Sequence, residues 1–268
     1  MTDRVVITGQ GLHGGAPARV TLRRAPGPIR LRAGEVEATL EELVLDGSRR
    51  STSVSSRDAR LRVGTVEHLF AALGAASVRG ALVIEVEGGE VPLADGGARR
   101  FVDALGSLGL PAGPPRLRIV RPCTIEIGRS RYELRPGAGV SVEVEVDFGD
   151  PRLARRARWD GDGADFRERI APARTFGFEH EIAGLVERGL ARHVAPESVV
   201  VIGPDRILSS GEAFQPDEPA RHKLLDLIGD LYAHGGPPLG HVRAVRPGHA
   251  ATHEAVRIAR LEGGVEFT

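Results

Sequence analysis

The run DEPARHKLLDLIGDL, Asp217 to Leu231, constrains this chain more than any other stretch. Its period is helical. Leu224, Leu225, Leu227, Ile228 and Leu231 gather on one face, while His222, Asp226 and Asp230 fall at i, i+4 and i+8 on another. The apolar face must pack on a core, so the His/Asp face looks into solvent or a cleft. A histidine and an aspartate one turn apart can both reach the same point, which suits a metal. On these residues alone, a solvated polar face with an incidental histidine is the plainer alternative.

Two further segments change that balance. In TVEHLFAAL, Thr65 to Leu73, Glu67 and His68 adjoin at the start of a predicted helix over Thr65–Gly74, with Thr65 a candidate N-cap. The third segment, PGH, ends in His249 after the flexible run GGPPLG. Each histidine taken singly reads as a packed or surface residue. Together the three segments supply two histidines and an aspartate for a metal, an additional carboxylate and an additional histidine. Metal-assisted amide hydrolysis needs that set: three protein ligands that leave a position open for water, a carboxylate to take a proton, and a cationic group for the oxyanion or the leaving amine.

The proline-rich run GLPAGPP, Gly109 to Pro115, reads as a linker near the middle of the 268 residues. Strands are expected at Arg4–Ile7, Ala18–Arg23, a well-buried Ala81–Glu87, Arg116–Val120, Thr124–Ile127, Arg131–Leu134, a half-exposed Val140–Val146 and Val199–Ile202. Helices are expected at Thr65–Gly74, Arg99–Leu108, Glu179–Arg188 and Pro219–Ala233. Strands followed by helices in each half predict an α+β class with two domains, residues 1–112 and 113–268.

The 36 basic and 36 acidic side chains cancel, which argues against a general grip on nucleic acid or anionic membrane. One cysteine, Cys123, excludes an intrachain disulfide and suits a reducing compartment. The first residues lack a signal-peptide pattern, and no apolar run approaches a membrane span, so a cytoplasmic protein without integral membrane contact is expected. GQGLHGG has the wrong glycine spacing for a dinucleotide fingerprint and lacks the lysine of a phosphate loop.

Six segments, in order, resemble the UDP-3-O-acyl-N-acetylglucosamine deacetylases of Gram-negative bacteria. They are TGQGLHGG (Thr8 to Gly15), TVEHLFAAL, EVPLADGGARRF (Glu90 to Phe101), ARTFGF (Ala173 to Phe178), DEPARHKLLDLIGDL and PGHAATHE (Pro247 to Glu254). The resemblance covers nearly the whole chain. It implies zinc-dependent hydrolysis of the N-acetyl amide of an acylated UDP-N-acetylglucosamine in lipid A synthesis, by a protein expected to be a monomer. It makes His68, His222 and Asp226 the Zn²⁺ ligands, a set that also accepts Fe²⁺ in the cell. Glu67 would be the general base, and His249 the general acid or electrostatic stabiliser, oriented by Asp230. Thr175 would hydrogen-bond the oxyanion, Lys223 would contact substrate, and Phe176 would stack near the sugar. His13 would lie near the site without a catalytic role. The implied fold is two α+β domains of similar topology, their helices sandwiched between two sheets. Each domain carries a small insert, and the second insert forms an apolar passage for the acyl chain.

Departures from the family pattern cluster in the inserts. His193, Val194 and Ala195 replace a glycine-rich turn, and Ser198 stands near the usual place of an asparagine. SRRSTSVSS, Ser48 to Ser56, is polar where an apolar passage entrance is usual, Gly97 replaces a serine, and the chain is shorter than typical members. A passage filled at Arg192 to Ser198 predicts a preference for shorter acyl chains. The alternative is a paralogue of the same fold acting on a different N-acetylated sugar. A non-catalytic binding protein would predict decay of the motif residues, and all of them are present.

Overall fold

The computed structural model describes residues 2–47, 50–181 and 198–268. The first half opens with strands β1 (Arg4–Gln10), β2 (Pro17–Arg24), β3 (Arg30–Ala33) and β4 (Val36–Thr39). Then come the short strands β5 (Val44–Gly47), β6 (Thr52–Ser55) and β7 (Arg62–Val63), helix α1 (Glu67–Ala75), β8 (Leu82–Glu87) and α2 (Arg99–Leu108). The second half has β9 (Leu117–Ile119), β10 (Cys123–Ile127), β11 (Ser130–Arg135), β12 (Val140–Glu145), β13 (Arg156–Trp159), β14 (Thr175–Phe178), β15 (Val199–Ile202) and β16 (Ile207–Leu208). It ends with α3 (Glu218–Tyr232), β17 (Gly240–Val245), α4 (His249–Leu261) and β18 (Val265–Phe267).

Two five-stranded sheets share one pairing pattern. The first runs β1-β2-β8-β3-β4 and the second β10-β11-β17-β12-β13. In each the first hairpin is antiparallel, and the strand that joins it pairs parallel with the third: β3 with β8, and β12 with β17. The helices lie between the sheets, with α2 on β1 and β2, α3 on β12 and β13, and α1 packed against α3. This is the expected α+β architecture. Three-stranded sheets β5-β6-β7 and β14-β15-β16 stand apart from the two main sheets, and β18 closes back on β9.

Side-chain alternation explains the layering. On β12, Val142 and Val144 are fully buried beneath α3, whereas Glu143 and Glu145 lie on the other face. There Arg243 pairs with Glu145 at 2.6 Å and Arg156 reaches the same carboxylate at 3.0 Å, so the outer face is a solvated ionic surface. The inner faces and the helices share one apolar core, with Phe70, Phe101, Phe166, Leu69, Leu73 and Leu108 among its largest members.

The close approach of α1 to α3 depends on one glycine. A Cβ built on Gly229 would sit 2.0 Å from the carbonyl oxygen of Glu67, so only glycine lets the two helices meet there. Glu67 and His68 are thereby brought against the helix that carries His222, Asp226 and Asp230.

One expectation needs correction, and several others take their place in the fold. Thr65 does not cap α1: the helix starts after Val66 without a side-chain cap, and the Thr65 hydroxyl donates to Glu90 Oε2 at 3.3 Å from a backbone with φ of 56°. Of the two surroundings left open for the polar face of α3, solvent or a cleft, the structure gives the enclosed one. His222, Asp226 and Asp230 are 5%, 6% and 1% exposed, because α1 and α4 pack over that face. Within the proline-rich run, Gly113 N–H donates to the Ser77 carbonyl at 2.8 Å and Ala112 bridges to Val78. The expected helix at Glu179–Arg188 begins at Glu179, and its course from residue 182 lies outside the described residues. So do Ser48, Arg49 and the departures at His193, Val194 and Ala195, with the acyl passage inferred from them.

Candidate functional site

Three donors converge at the junction of α1 and α3. The Nε2 atoms of His68 and His222 each lie 3.6 Å from Oδ1 of Asp226, and among the described residues these three form a group whose ligand atoms all lie within 4.8 Å of one another. Two ligands of a tetrahedral ion at ~2.1 Å stand roughly 3.4 Å apart, so the spacing suits a divalent metal. The donor chemistry agrees. His222 Nδ1 lies 3.0 Å from the Ala173 carbonyl, which makes Nδ1 the protonated nitrogen and leaves Nε2 a bare lone pair facing the group. Burial first, offset in part by Asp226, lowers the His222 pKa to about 4 and keeps the ring neutral, as a ligand must be. Asp226 is itself buried, which favours its neutral form, but Lys223 and His222 outweigh burial and hold the carboxyl well below its ordinary value.

The second oxygen of Asp226 faces two cations. Lys223 Nζ donates to Oδ2 at 2.7 Å, and His249 Nε2 lies 3.9 Å from it. His249 is the first residue of α4, seated there by the Tyr132 hydroxyl, which accepts from Gly248 N–H at 3.4 Å and lies 3.0 Å from Thr252 Oγ1. Asp230 stands behind the imidazole, with Oδ2 3.0 Å from Nδ1. Burial opposes a charge on His249, but Asp230, then Glu67 and Asp226, outweigh it and raise the pKa to about 9. Glu67 opens α1, fully buried, and its Oε2 accepts the Thr52 N–H at 3.0 Å. Burial drives its pKa up, against the pull of His249 and His68. The site thus holds a proton acceptor of raised basicity beside an imidazolium, the pairing that acid–base catalysis near neutral pH requires.

The remaining expected residues are close by. Thr175 begins β14 two residues after Ala173, and its hydroxyl donates to the Gly96 carbonyl at 2.9 Å, as does its N–H at 2.7 Å. The Phe176 ring meets His222 edge-on with centroids 5.9 Å apart, and packs beside Phe148 and Phe178. His13 sits in a turn pinned by Glu90, whose carboxylate accepts the N–H groups of His13 at 3.1 Å and Gly14 at 2.7 Å. Burial lowers the His13 pKa, and its Nε2 has no hydrogen-bond partner among the described residues. Phe176 thus touches His222, and His13 has His249 among its electrostatic neighbours.

Sequence reasoning missed Thr52 and Asp95. Thr52 lies in the polar run SRRSTSVSS, noted there only as a departure from the usual apolar passage entrance. Thr52 is fully buried, its backbone on Glu67 and its hydroxyl donating to Asp230 Oδ1 at 2.6 Å. Asp95 has a buried Oδ1 with no hydrogen-bond partner among the described residues; burial raises its pKa, with His68 the first opposing charge. The ADGG turn was visible in sequence, but nothing local tied its carboxylate to His68.

Comparison with known proteins agrees with this geometry. The family model described as UDP-3-O-acyl N-acetylglycosamine deacetylase matches residues 1–259. Proteins named UDP-3-O-acyl-N-acetylglucosamine deacetylase from Brucella melitensis biotype 2, Brucella ovis and Brucella suis are each 35% identical to the chain over 264 residues, covering 94% of it and 91% of each relative. A donor triad suited to a metal, an adjoining acid–base pair and a match along nearly the full length lead to one statement: the chain belongs to the UDP-3-O-acyl N-acetylglycosamine deacetylase family.

Proposed function

We propose that His68, His222 and Asp226 hold Zn²⁺, and that Glu67 and His249 move the protons in the deacetylation of UDP-3-O-acyl-N-acetylglucosamine, the lipid A biosynthetic reaction that family membership assigns to this chain. The observation that carries the assignment is the convergence of two histidine Nε2 atoms on one Asp226 oxygen, with the His249–Asp230 pair on the other side of the same carboxylate. When bound, the ion supplies Lewis acidity, polarising the scissile carbonyl and acidifying a water. His₂Asp ligation is only weakly selective, so Fe²⁺ in the cell is part of the same reading.

The protein groups divide the proton work. Glu67 takes a proton from the attacking water, and its raised pKa makes it a better acceptor than an ordinary glutamate. The Thr52 N–H on Oε2 holds one carboxylate oxygen and leaves the other for the water. His249 keeps its proton through Asp230 and delivers it to the departing amine. Lys223 spends one of its three N–H donors on Asp226 and has two left for substrate. Thr175 serves the oxyanion by turning its hydroxyl away from Gly96. Phe176, already edge-on to His222, offers a face to the sugar.

Residues 1–112, with the Glu67–His68 pair, and residues 113–268, with the His222-to-Asp226 turn, act as two domains with the site between them. A single cysteine supports a reducing, cytoplasmic setting. No helix among the described residues is long and apolar enough to cross a membrane.

The deciding experiment measures acetate release from UDP-3-O-acyl-N-acetylglucosamine and from UDP-N-acetylglucosamine without the acyl chain. The acylated substrate should be turned over far faster. Equal rates, or release only from another N-acetylated sugar, would overturn the substrate assignment.

A further inference from the structure

Behind the Asp230–His249 pair lies a chain of side chains that the reaction as described leaves unused. Thr52 Oγ1 is 2.6 Å from Asp230 Oδ1 and 2.9 Å from His253 Nε2, and His253 Nδ1 is 2.9 Å from His234 Nε2. His234 follows the end of α3, and His253 lies one turn into α4 from His249.

The chemistry of the groups fixes the direction of every bond. An ionised carboxylate only accepts, so Thr52 must donate to Asp230. A hydroxyl has one proton, so Thr52 Oγ1 can only accept from His253, whose Nε2 therefore carries hydrogen. A neutral His253 then has a bare Nδ1, which accepts from His234 Nε2–H. Burial holds His253 below its ordinary value and brings His234 to about 3, so both rings are neutral and give hydrogen bonds without adding charge. That distinction matters here. A lysine or arginine in the same place would pair with Asp230 and cancel the charge that keeps His249 protonated.

The chain also has a rigid seat. A Cβ on Gly47 of β5 would lie 2.5 Å from His253 Cδ2, so the strand backbone closes against the ring and leaves it little freedom to rotate.

We infer that His253 and His234, acting through the Thr52 hydroxyl, are positioning residues that lock the Asp230 carboxylate and through it the catalytic imidazole of His249. The inference rests on the roles given above to Asp230 and His249. Without the chain, Asp230 is held by His249 alone and is free to turn about its own side-chain bond. Thr52 is the hub, because the same residue holds Glu67 through its backbone.

The test is steady-state kinetics on metal-loaded variants, with metal content and melting temperature measured alongside. His253→Leu removes donor and acceptor, and should lower kcat by about tenfold to a hundredfold, the usual loss on removing a supporting hydrogen bond in a metal site. KM and metal content should stay near wild type. His253→Gln, which can both donate and accept, should recover most of the loss. Thr52→Val keeps the volume and the backbone bond to Glu67, and carries the same test should His253→Leu not fold. Combined with His253→Leu it should cost no more than Thr52→Val alone, because both cut one chain. Wild-type kcat in both single variants, additive losses in the pair, or His253→Gln as impaired as His253→Leu would each overturn the inference. Asp230→Asn is the control: if it keeps full activity, the role given to the Asp230–His249 pair fails, and the positioning chain fails with it.

Discussion

His249 Nδ1 lies 3.0 Å from Asp230 Oδ2 and 3.1 Å from Oδ1, and Asp230 is 1% exposed. A buried carboxylate with one imidazole across both oxygens favours the charged ring strongly, which separates the pH behaviour of the two proton-transfer groups.

On the proton-transfer roles proposed above, activity requires Glu67 ionised and His249 protonated. Burial lifts Glu67 above the ordinary glutamate value, so the acidic limb of kcat/KM should lie above that value. His249, raised to about 9, sets the alkaline limb, and the rate falls as pH rises through it. Asp230→Asn removes the leading contribution that raises His249, so the alkaline limb should move to lower pH. A profile from pH 5 to 10 on both proteins checks this, and an unmoved limb refutes the assignment.

Purified protein should carry about one divalent metal per chain, as three-ligand catalytic sites do. Elemental analysis of His222→Ala should show the metal lost, because the remaining donors come from different helices, His68 on α1 and Asp226 on α3. Full occupancy in that variant would remove His222 from the ligand set.

Glu67→Gln should keep its metal and its fold yet lose about 10²–10⁴ in turnover, the usual size of a general-base contribution. The amide fills the same space and still accepts the Thr52 N–H. Near-normal turnover would move the base elsewhere in the site.

Gly229→Ala should destabilise the protein by about 1–3 kcal/mol through overpacking, since the added Cβ meets the Glu67 carbonyl. Because that contact sets the spacing of α1 and α3, the variant should also bind metal more weakly. Denaturant unfolding of apo protein and metal titration measure the two effects separately. Unchanged stability would show that the helices slide apart freely.

Arg174 and Glu218 form a buried ion pair at 2.8 Å, with side chains 8% and 5% exposed. The guanidinium also donates to the Ser210 carbonyl at 2.8 Å and the Glu212 carbonyl at 3.2 Å. Arg174→Met should cost about 3–5 kcal/mol, because Glu218 is left charged and unpaired beneath the start of α3. The double variant Arg174→Met/Glu218→Leu should recover much of that loss. A loss below 1 kcal/mol in the single variant would show that water reaches the carboxylate.

His222, Asp226 and Asp230 could be placed on one helical face from sequence because the 3.6-residue period is a local property, α2 was legible for the same reason, and β15 was legible as a short apolar run. The six ordered segments likewise carried the family, and with it the expected roles. Tertiary structure decided what local pattern cannot encode. Thr52 and Asp230 are 178 residues apart, and only the packing of β6 against α3 joins them. Nothing local in the run SRRSTSVSS marks Thr52 for burial, because serine and threonine are solvated by default until a buried carboxylate such as Asp230 takes a donor. Whether the histidine face of α3 met water or a second helix depended on Gly229, whose missing side chain matters only once the Glu67 carbonyl lies against it.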